Sequence, residues 1–146
     1  MIPLEQTFKA FKFLVDQGKV RSVGISNFDV NRTAKALKAS EIPVSVNQIE
    51  YHPYQNRQAL LEFCMKNNVA VTAYSPLARG RVLNDPILRQ IAERHRKTVA
   101  QVSLRWLVQK GAIVIPKAES LKHLKENMDV FDWKLSEEEI KQIDGI

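Results

Sequence analysis

The feature that most constrains this chain is a unit that recurs along it. A short β-branched run is followed by a polar turn, then by a stretch with apolar residues three and four apart. The apolar runs cover residues 20–25, 43–49, 69–73 and 112–115. They are too short for helices and lack the alternation of a strand with one wet face, so both of their faces are expected to be covered. Strands alternating with helices require right-handed crossovers, which produce a parallel sheet. The order reads α-βα-βα-β-αα-βαα, with strands returning roughly every 25 residues until the third. That repeat fits a (β/α)8 barrel of the TIM type, but four strands are half of the eight that closure needs.

Local signals sharpen the boundaries. Leu4, Phe8, Phe11, Leu14 and Val15 make one helical face, Pro3 and Glu5 suit its first turn, and Gly18 suits its end. Asp29 can cap a helix over 30–39 with Ala34 and Leu37 inward, and a helix over 57–67 would bury Leu60, Leu61 and Cys64. An Arg- and Gly-containing loop over 77–84 precedes Asp85-Pro86, which opens a helix to His95. Thr98 with Gln101 and Ser136 with Glu139 read as capping boxes, the first for a helix closing at Gly111, the second for a final helix with Ile140 and Ile143 inward. Ser120 opens a helix to Met128.

At 146 residues a single domain is the simplest expectation, spanning 1–146. The net charge of +6 comes from lysines and arginines spread along the chain, with no basic run interleaved with stacking aromatics, so no nucleic acid is expected as partner. No run of eighteen apolar residues argues for a membrane span, and the N-terminal stretch does not read as a signal peptide. The lone Cys64 cannot form an internal disulfide and sits at helical spacing among apolar neighbours, as in a reducing, cytoplasmic setting.

Ligands of parallel α/β folds bind at the C-terminal ends of the strands. Here those ends carry Ser26-Asn27, Gln48, Tyr74-Ser75 and Lys117. Amides and a hydroxyl can grip a carboxamide, an aromatic ring can stack on a planar heterocycle, and a lysine can hold a phosphate. Glu126 and Asn127, two turns into the helix that starts at Ser120, can bond exocyclic nitrogens. An amide-bearing ring, a stacked face and a phosphate together describe a nicotinamide dinucleotide.

GKVRSVGISNF, VNQIEYHPY, VTAYSPL and IPKAESLKHLKEN, in this order and spacing, resemble the aldo-keto reductase family, and the resemblance covers nearly the whole chain. It implies a (β/α)8 barrel that reduces aldehydes and ketones with NADPH and uses no metal. It further implies that Ser26, Asn27 and Gln48 bond the nicotinamide carboxamide, Tyr74 stacks on its ring, and Ser75 and Leu77 line the pyrophosphate path. Lys117 would meet the 2′-phosphate of the adenosine, and Glu126 and Asn127 the adenine.

Two positions depart from the family's pattern. Members that strongly prefer NADPH often carry a hydroxyl residue directly after the lysine and an Arg six residues beyond it, where this chain has Ala118 and His123. A guanidinium holds phosphate bidentately at any pH, whereas imidazoles as a class carry little charge near pH 7. The preference for NADP(H) is thus weakened, though Lys117 keeps it ahead, with NAD(H) as the alternative. The family's catalytic Asp, Tyr, Lys and His lie on its first four strands, and none maps onto these residues. Tyr51 and His52 belong to NQIEYHPY, which supplies neither, and an aromatic turn bracing the loop after Gln48 is expected there. The chain thus reads as the second half of a reductase, catalytically incompetent alone, with the carbonyl substrate belonging to the intact protein. Open barrel edges would favour self-association. A non-enzymatic nicotinamide-dinucleotide-binding or assembly module, or an inert fragment, is the alternative.

Overall fold

The computed structural model describes residues 2–146. Helix α1 (Leu4–Asp16) buries Phe8 and packs Leu4, Phe11 and Val15 partly against the core. It stops in a Schellman arrangement, in which Lys19 N–H bonds Leu14 O at 3.0 Å and Gly18 N–H bonds Val15 O at 2.8 Å. Gly18 takes φ 67° there, a value that a side chain would disfavour. Because Val20 N–H still serves Leu14 O (3.3 Å), β1 starts at Val23 rather than at Val20 and runs to Ser26.

The remaining elements follow the expected order. They are α2 (Val30–Ala39), β2 (Val44–Glu50), α3 (Gln58–Lys66), β3 (Ala70–Tyr74), a 3-10 turn (Ala78–Asn84), α4 (Pro86–His95), α5 (Val99–Gln109), β4 (Ile113–Val114), α6 (Leu121–Met128) and α7 (Glu137–Asp144). The strands form one four-stranded sheet in the order β1-β2-β3-β4, and β1 with β2 and β3 with β4 pair in parallel. Four parallel strands with surrounding helices are the expected half of a (β/α)8 barrel.

The chain divides into two compact units. One comprises the chain up to Ile49 with Gln58–Val71, the other Glu50–Arg57 with Thr72–Ile146. In the first, Phe8, Val23, Ala36 and Val44 form a core cluster. Asp29 caps α2 through Oδ1, which accepts from Arg32 N–H at 2.7 Å. The inward face of α2 is Thr33, Ala36 and partly Leu37, while Ala34 is exposed. Thr33 is drawn inward because its hydroxyl accepts from Asn47 Nδ2 at 3.3 Å. Leu60, Leu61 and Cys64 are buried on α3 as expected, and burial pushes the Cys64 thiol pKa up.

The strands here are less uniformly covered than their composition suggests. Val44, Asn47 and Ile49 are buried on β2 but Gln48 is exposed, and Gly24 and Ser26 are exposed on β1. Gly24 sits at a register irregularity opposite Val46.

The second unit buries Leu88, Ile91, Leu104, Trp106, Leu107 and Ile143, each contributing about 1.5–3 kcal/mol by leaving water. Both capping boxes are present. Thr98 Oγ1 accepts from Gln101 N–H and Gln101 Oε1 from Thr98 N–H, and Ser136 and Glu139 repeat the pattern. Asp85 Oδ1 accepts from Ile87 and Leu88 N–H, with Pro86 in the first turn of α4. Of residues 77–84, expected as a loop, Ala78–Asn84 wind into 3-10 turns broken at Arg79 and Gly80.

Candidate functional site

In the first unit β1 ends at Ser26, which is paired opposite Gln48 on β2. The Gln48 carbonyl accepts from Ser26 Oγ and from Asn27 N–H, both at 2.9 Å. Asn27 turns the chain toward α2 with φ 58°, a left-handed conformation that Asn tolerates better than most residues. With its proton committed to Gln48, the Ser26 hydroxyl offers lone pairs and so acts as an acceptor. The exposed Gln48 side chain offers both amide groups. Its neighbour Asn47 is buried and donates to Phe28 O at 2.8 Å, so alternation along the strand separates a bracing amide from an available one.

In the second unit β3 ends at half-buried Tyr74, and Ser75 follows with φ 50°. Ser103, buried on α5, donates to Pro76 O at 3.0 Å and fixes the backbone just beyond. Three successive left-handed residues come next, Ala78 (φ 47°), Arg79 (φ 56°) and Gly80 (φ 88°). For Ala and Arg this conformation costs roughly 1–2 kcal/mol each, strain of a kind that collects beside functional sites. Arg81 is engaged elsewhere, its guanidinium 5.4 Å from the Tyr54 ring centroid.

A pocket of about 240 Å³ in this unit gathers five residues that the sequence singled out: Leu77, Lys117, His123, Glu126 and Asn127. The last three lie three and four apart on α6 and so share a face. Ser120 caps that helix by accepting from His123 N–H at 3.2 Å. Lys117 pairs with Glu119, both largely exposed, and Glu126 faces Lys122 at 3.9 Å. Leu83, Thr98, Val99 and Ala100 complete the lining. Sequence reasoning missed these four because Thr98 reads as a cap and Val99-Ala100 as an ordinary first turn. A cap locates where a helix starts, not what that start faces.

Tyr51 and His52 lie outside this pocket. Tyr51 is buried with its ring 5.4 Å from Trp106, edge to face, and its hydroxyl donates to Asn56 Oδ1 at 3.2 Å. His52 is buried, and burial lowers its pKa despite Glu50 at 3.6 Å. Both brace the turn after β2. Among the described residues no group of three or more His, Cys, Asp or Glu could hold a metal ion, and no helix is long and apolar enough to cross a membrane.

The sequence model of the Aldo/keto reductase family matches residues 2–146. Glyoxal reductase of Bacillus subtilis (strain 168) is 41% identical over 142 residues, covering 97% of this chain and 51% of that protein. NADP-dependent D-sorbitol-6-phosphate dehydrogenase of Malus domestica is 39% identical over 155 residues, covering 99% of this chain and 50% of its own length. A solved structure of the aldose reductase from Schistosoma japonicum superposes with a TM-score of 0.93 at 40% identity, covering 99% of this chain and 48% of that one. The chain spans about half the length of the curated relatives it matches. On sequence, on strand order and on the fold of its solved relatives, the chain belongs to the aldo/keto reductase family.

Proposed function

We propose that this chain forms the cofactor-binding side of an NADP(H)-dependent reductase of aldehydes and ketones. The observation that carries the reading is the single pocket shared by Leu77, Lys117, His123, Glu126 and Asn127. It offers an apolar wall, a cation and amide and carboxylate acceptors, the set that an adenosine bearing a phosphate requires. When bound, the nicotinamide supplies a hydride for the carbonyl carbon. Lys117 meets the 2′-phosphate with His123 nearby, Glu126 and Asn127 take the adenine amine, and Ser75 and Leu77 border the pyrophosphate. Ser26 accepts from the carboxamide N–H, Asn27 and Gln48 complete its bonds, and Tyr74 stacks on the ring.

Lys117 and the NADP dependence stated in the name of the Malus domestica relative favour NADP(H), while Ala118 and His123 leave NAD(H) as the alternative. The word glyoxal in the name of the Bacillus subtilis relative supports a small carbonyl substrate. We place the protein in the cytoplasm, where the buried thiol of Cys64 stays reduced.

Because no catalytic Asp, Tyr, Lys and His set maps onto these 146 residues, they are expected to bind cofactor without turnover when alone. Losing proton donation and its supporting charges removes several orders of magnitude in rate. The test is titration of NADPH followed by nicotinamide fluorescence. Wild type binds, Lys117→Ala loses about 10-fold or more with the charge-assisted bond, and Tyr74→Ala loses about 5-fold or more with the stacked face. Reduction of a simple aldehyde above background by the pure chain would refute the incompetence, and no binding at millimolar NADPH would refute the cofactor site.

One observation favours an assembly role beside this. On the two-residue strand β4, Ile113 is 52% exposed and Ile115, two residues on, is 46% exposed. Residues two apart share a face, so an apolar sheet face stands open. Self-association through it is expected, and sedimentation showing only monomer would exclude it.

A further inference from the structure

Helix α6 carries three of the pocket's polar residues, yet none of its eight residues is buried. Leu121, Leu124 and Met128 are all more than half exposed. An isolated helix of this length is not stable in water, so something outside it must hold His123, Glu126 and Asn127 in place. Among the described residues, the side-chain bonds that tie this helix and its caps to another element converge on Asp129, its C-terminal cap. Lys97 Nζ reaches Asp129 Oδ1 and Oδ2 at 2.7 and 2.8 Å, and Gln101 Nε2 donates to Oδ2 at 2.8 Å and to the Asp129 carbonyl at 3.1 Å. Lys97 also lies 5.7 Å from the centroid of Trp133.

These contacts are the top rung of a longer ladder. Lys97, Gln101, Arg105 and Gln109 stand four apart and share one side of α5 and its N-terminal approach. Arg105, buried, donates to Val130 O at 2.9 Å, and Gln109 bonds Leu135 through both its amide nitrogen (2.8 Å) and oxygen (3.0 Å). Polar side chains on the covered face of an otherwise apolar helix thus bind the segment after α6 at successive points. The two lower rungs hold chain beyond the site. The top rung sets where α6 stands against Thr98, Val99 and Ala100, the first turn of α5, which lines the same pocket.

We propose that Asp129, clamped by Lys97 and Gln101, is a positioning residue for the adenosine-phosphate end of the cofactor. It touches no cofactor atom and acts through the distance between α6 and the first turn of α5. This inference rests on the cofactor reading above and deepens it, because it assigns the clamp to one end of the dinucleotide.

The test compares 2′,5′-ADP with nicotinamide mononucleotide on the full chain, with wild type, D129N, K97M and the double variant. Neutralising Asp129 weakens charge-assisted bonds, so D129N is expected to lose about 10-fold in 2′,5′-ADP affinity while mononucleotide affinity changes less than about 2-fold. K97M is expected to do the same, and the double variant to lose no more than the worse single one, because both break one clamp. Amide hydrogen exchange across residues 121–128, read without ligand, should quicken in D129N while α5 stays protected. Unchanged 2′,5′-ADP affinity in D129N, equal loss of both ligands, or additive effects of the two substitutions would overturn the proposal. Failure of wild type to take up 2′,5′-ADP would instead overturn the cofactor reading, and this inference with it.

Discussion

Gly24→Ala is the substitution whose consequence the structure specifies most closely. Gly24 is exposed, so a rule based on burial expects little from adding a methyl group there. The backbone says otherwise. A Cβ built on Gly24 would collide with the Val46 side chain and stand 2.9 Å from the Val46 carbonyl oxygen. Relief to ordinary contact requires β1 and β2 to part by about 0.5 Å at this pair, since such contact begins at 3.4 Å. The Val46 side chain can rotate, but its carbonyl cannot leave without disturbing the ladder. Two residues on, the Gln48 carbonyl accepts from Ser26 Oγ and Asn27 N–H at 2.9 Å, and the same displacement stretches both bonds toward their limit. Overpacking costs about 1–3 kcal/mol and two weakened hydrogen bonds about 1 kcal/mol more, giving roughly 2–4 kcal/mol in all. For a chain of this size that is a fall in Tm of roughly 5–15 °C. Urea and thermal melts followed by circular dichroism measure it, and nicotinamide mononucleotide affinity should fall alongside. Val46→Ala in the same background removes the side-chain collision but leaves the carbonyl, so it should restore only part of the loss. A Gly24→Ala protein within about 0.5 kcal/mol of wild type would refute the close approach on which the reasoning stands.

Three further outcomes are expected. Glu119→Gln frees Lys117 from its ion pair and removes a negative charge from the proposed 2′-phosphate site, so discrimination of 2′,5′-ADP over 5′-ADP should rise about 2- to 5-fold and fall with added salt; isothermal titration of the two nucleotides reads it. Burial pushes up the Cys64 thiol, so a thiol reagent near pH 8 should label it only at the rate of unfolding, and fast labelling of native protein would contradict its burial. Glu139 is partly desolvated, which raises its pKa, but the bonds from His95 at 2.9 Å and Ser136 N–H and the charge of Arg94 outweigh this and lower it overall. A lowered carboxylate stabilises the fold above its unfolded pKa and ceases to as pH falls through the folded one. Thermal melts should therefore be level down to about pH 5 and decline below, with Glu139→Gln melting lower at pH 7 and declining less in acid.

What local chemistry decides could be read before any coordinates. Asp29, Thr98 with Gln101, and Ser136 with Glu139 cap helices where their spacing says they should, because each cap is closed within four residues. Gly18 likewise ends α1, its own N–H bonding Val15 O and the next residue's N–H bonding Leu14 O in the helix's last turn. The order of strands and helices followed from periodicity, and the polar strand ends followed from that order. Decisions that depend on a distant neighbour were not legible. Thr33 rather than Ala34 turns inward because Asn47, on strand β2, supplies a donor. The pocket wall at Val99 and Ala100 and the clamp at Asp129 are ordinary helix residues until α5 and α6 are set side by side. By itself the sequence determined which residues cap, turn and alternate, since those bonds close within a few residues. Which faces meet was set by packing between elements, because it depends on partners 14 to 28 residues away whose direction no local spacing encodes.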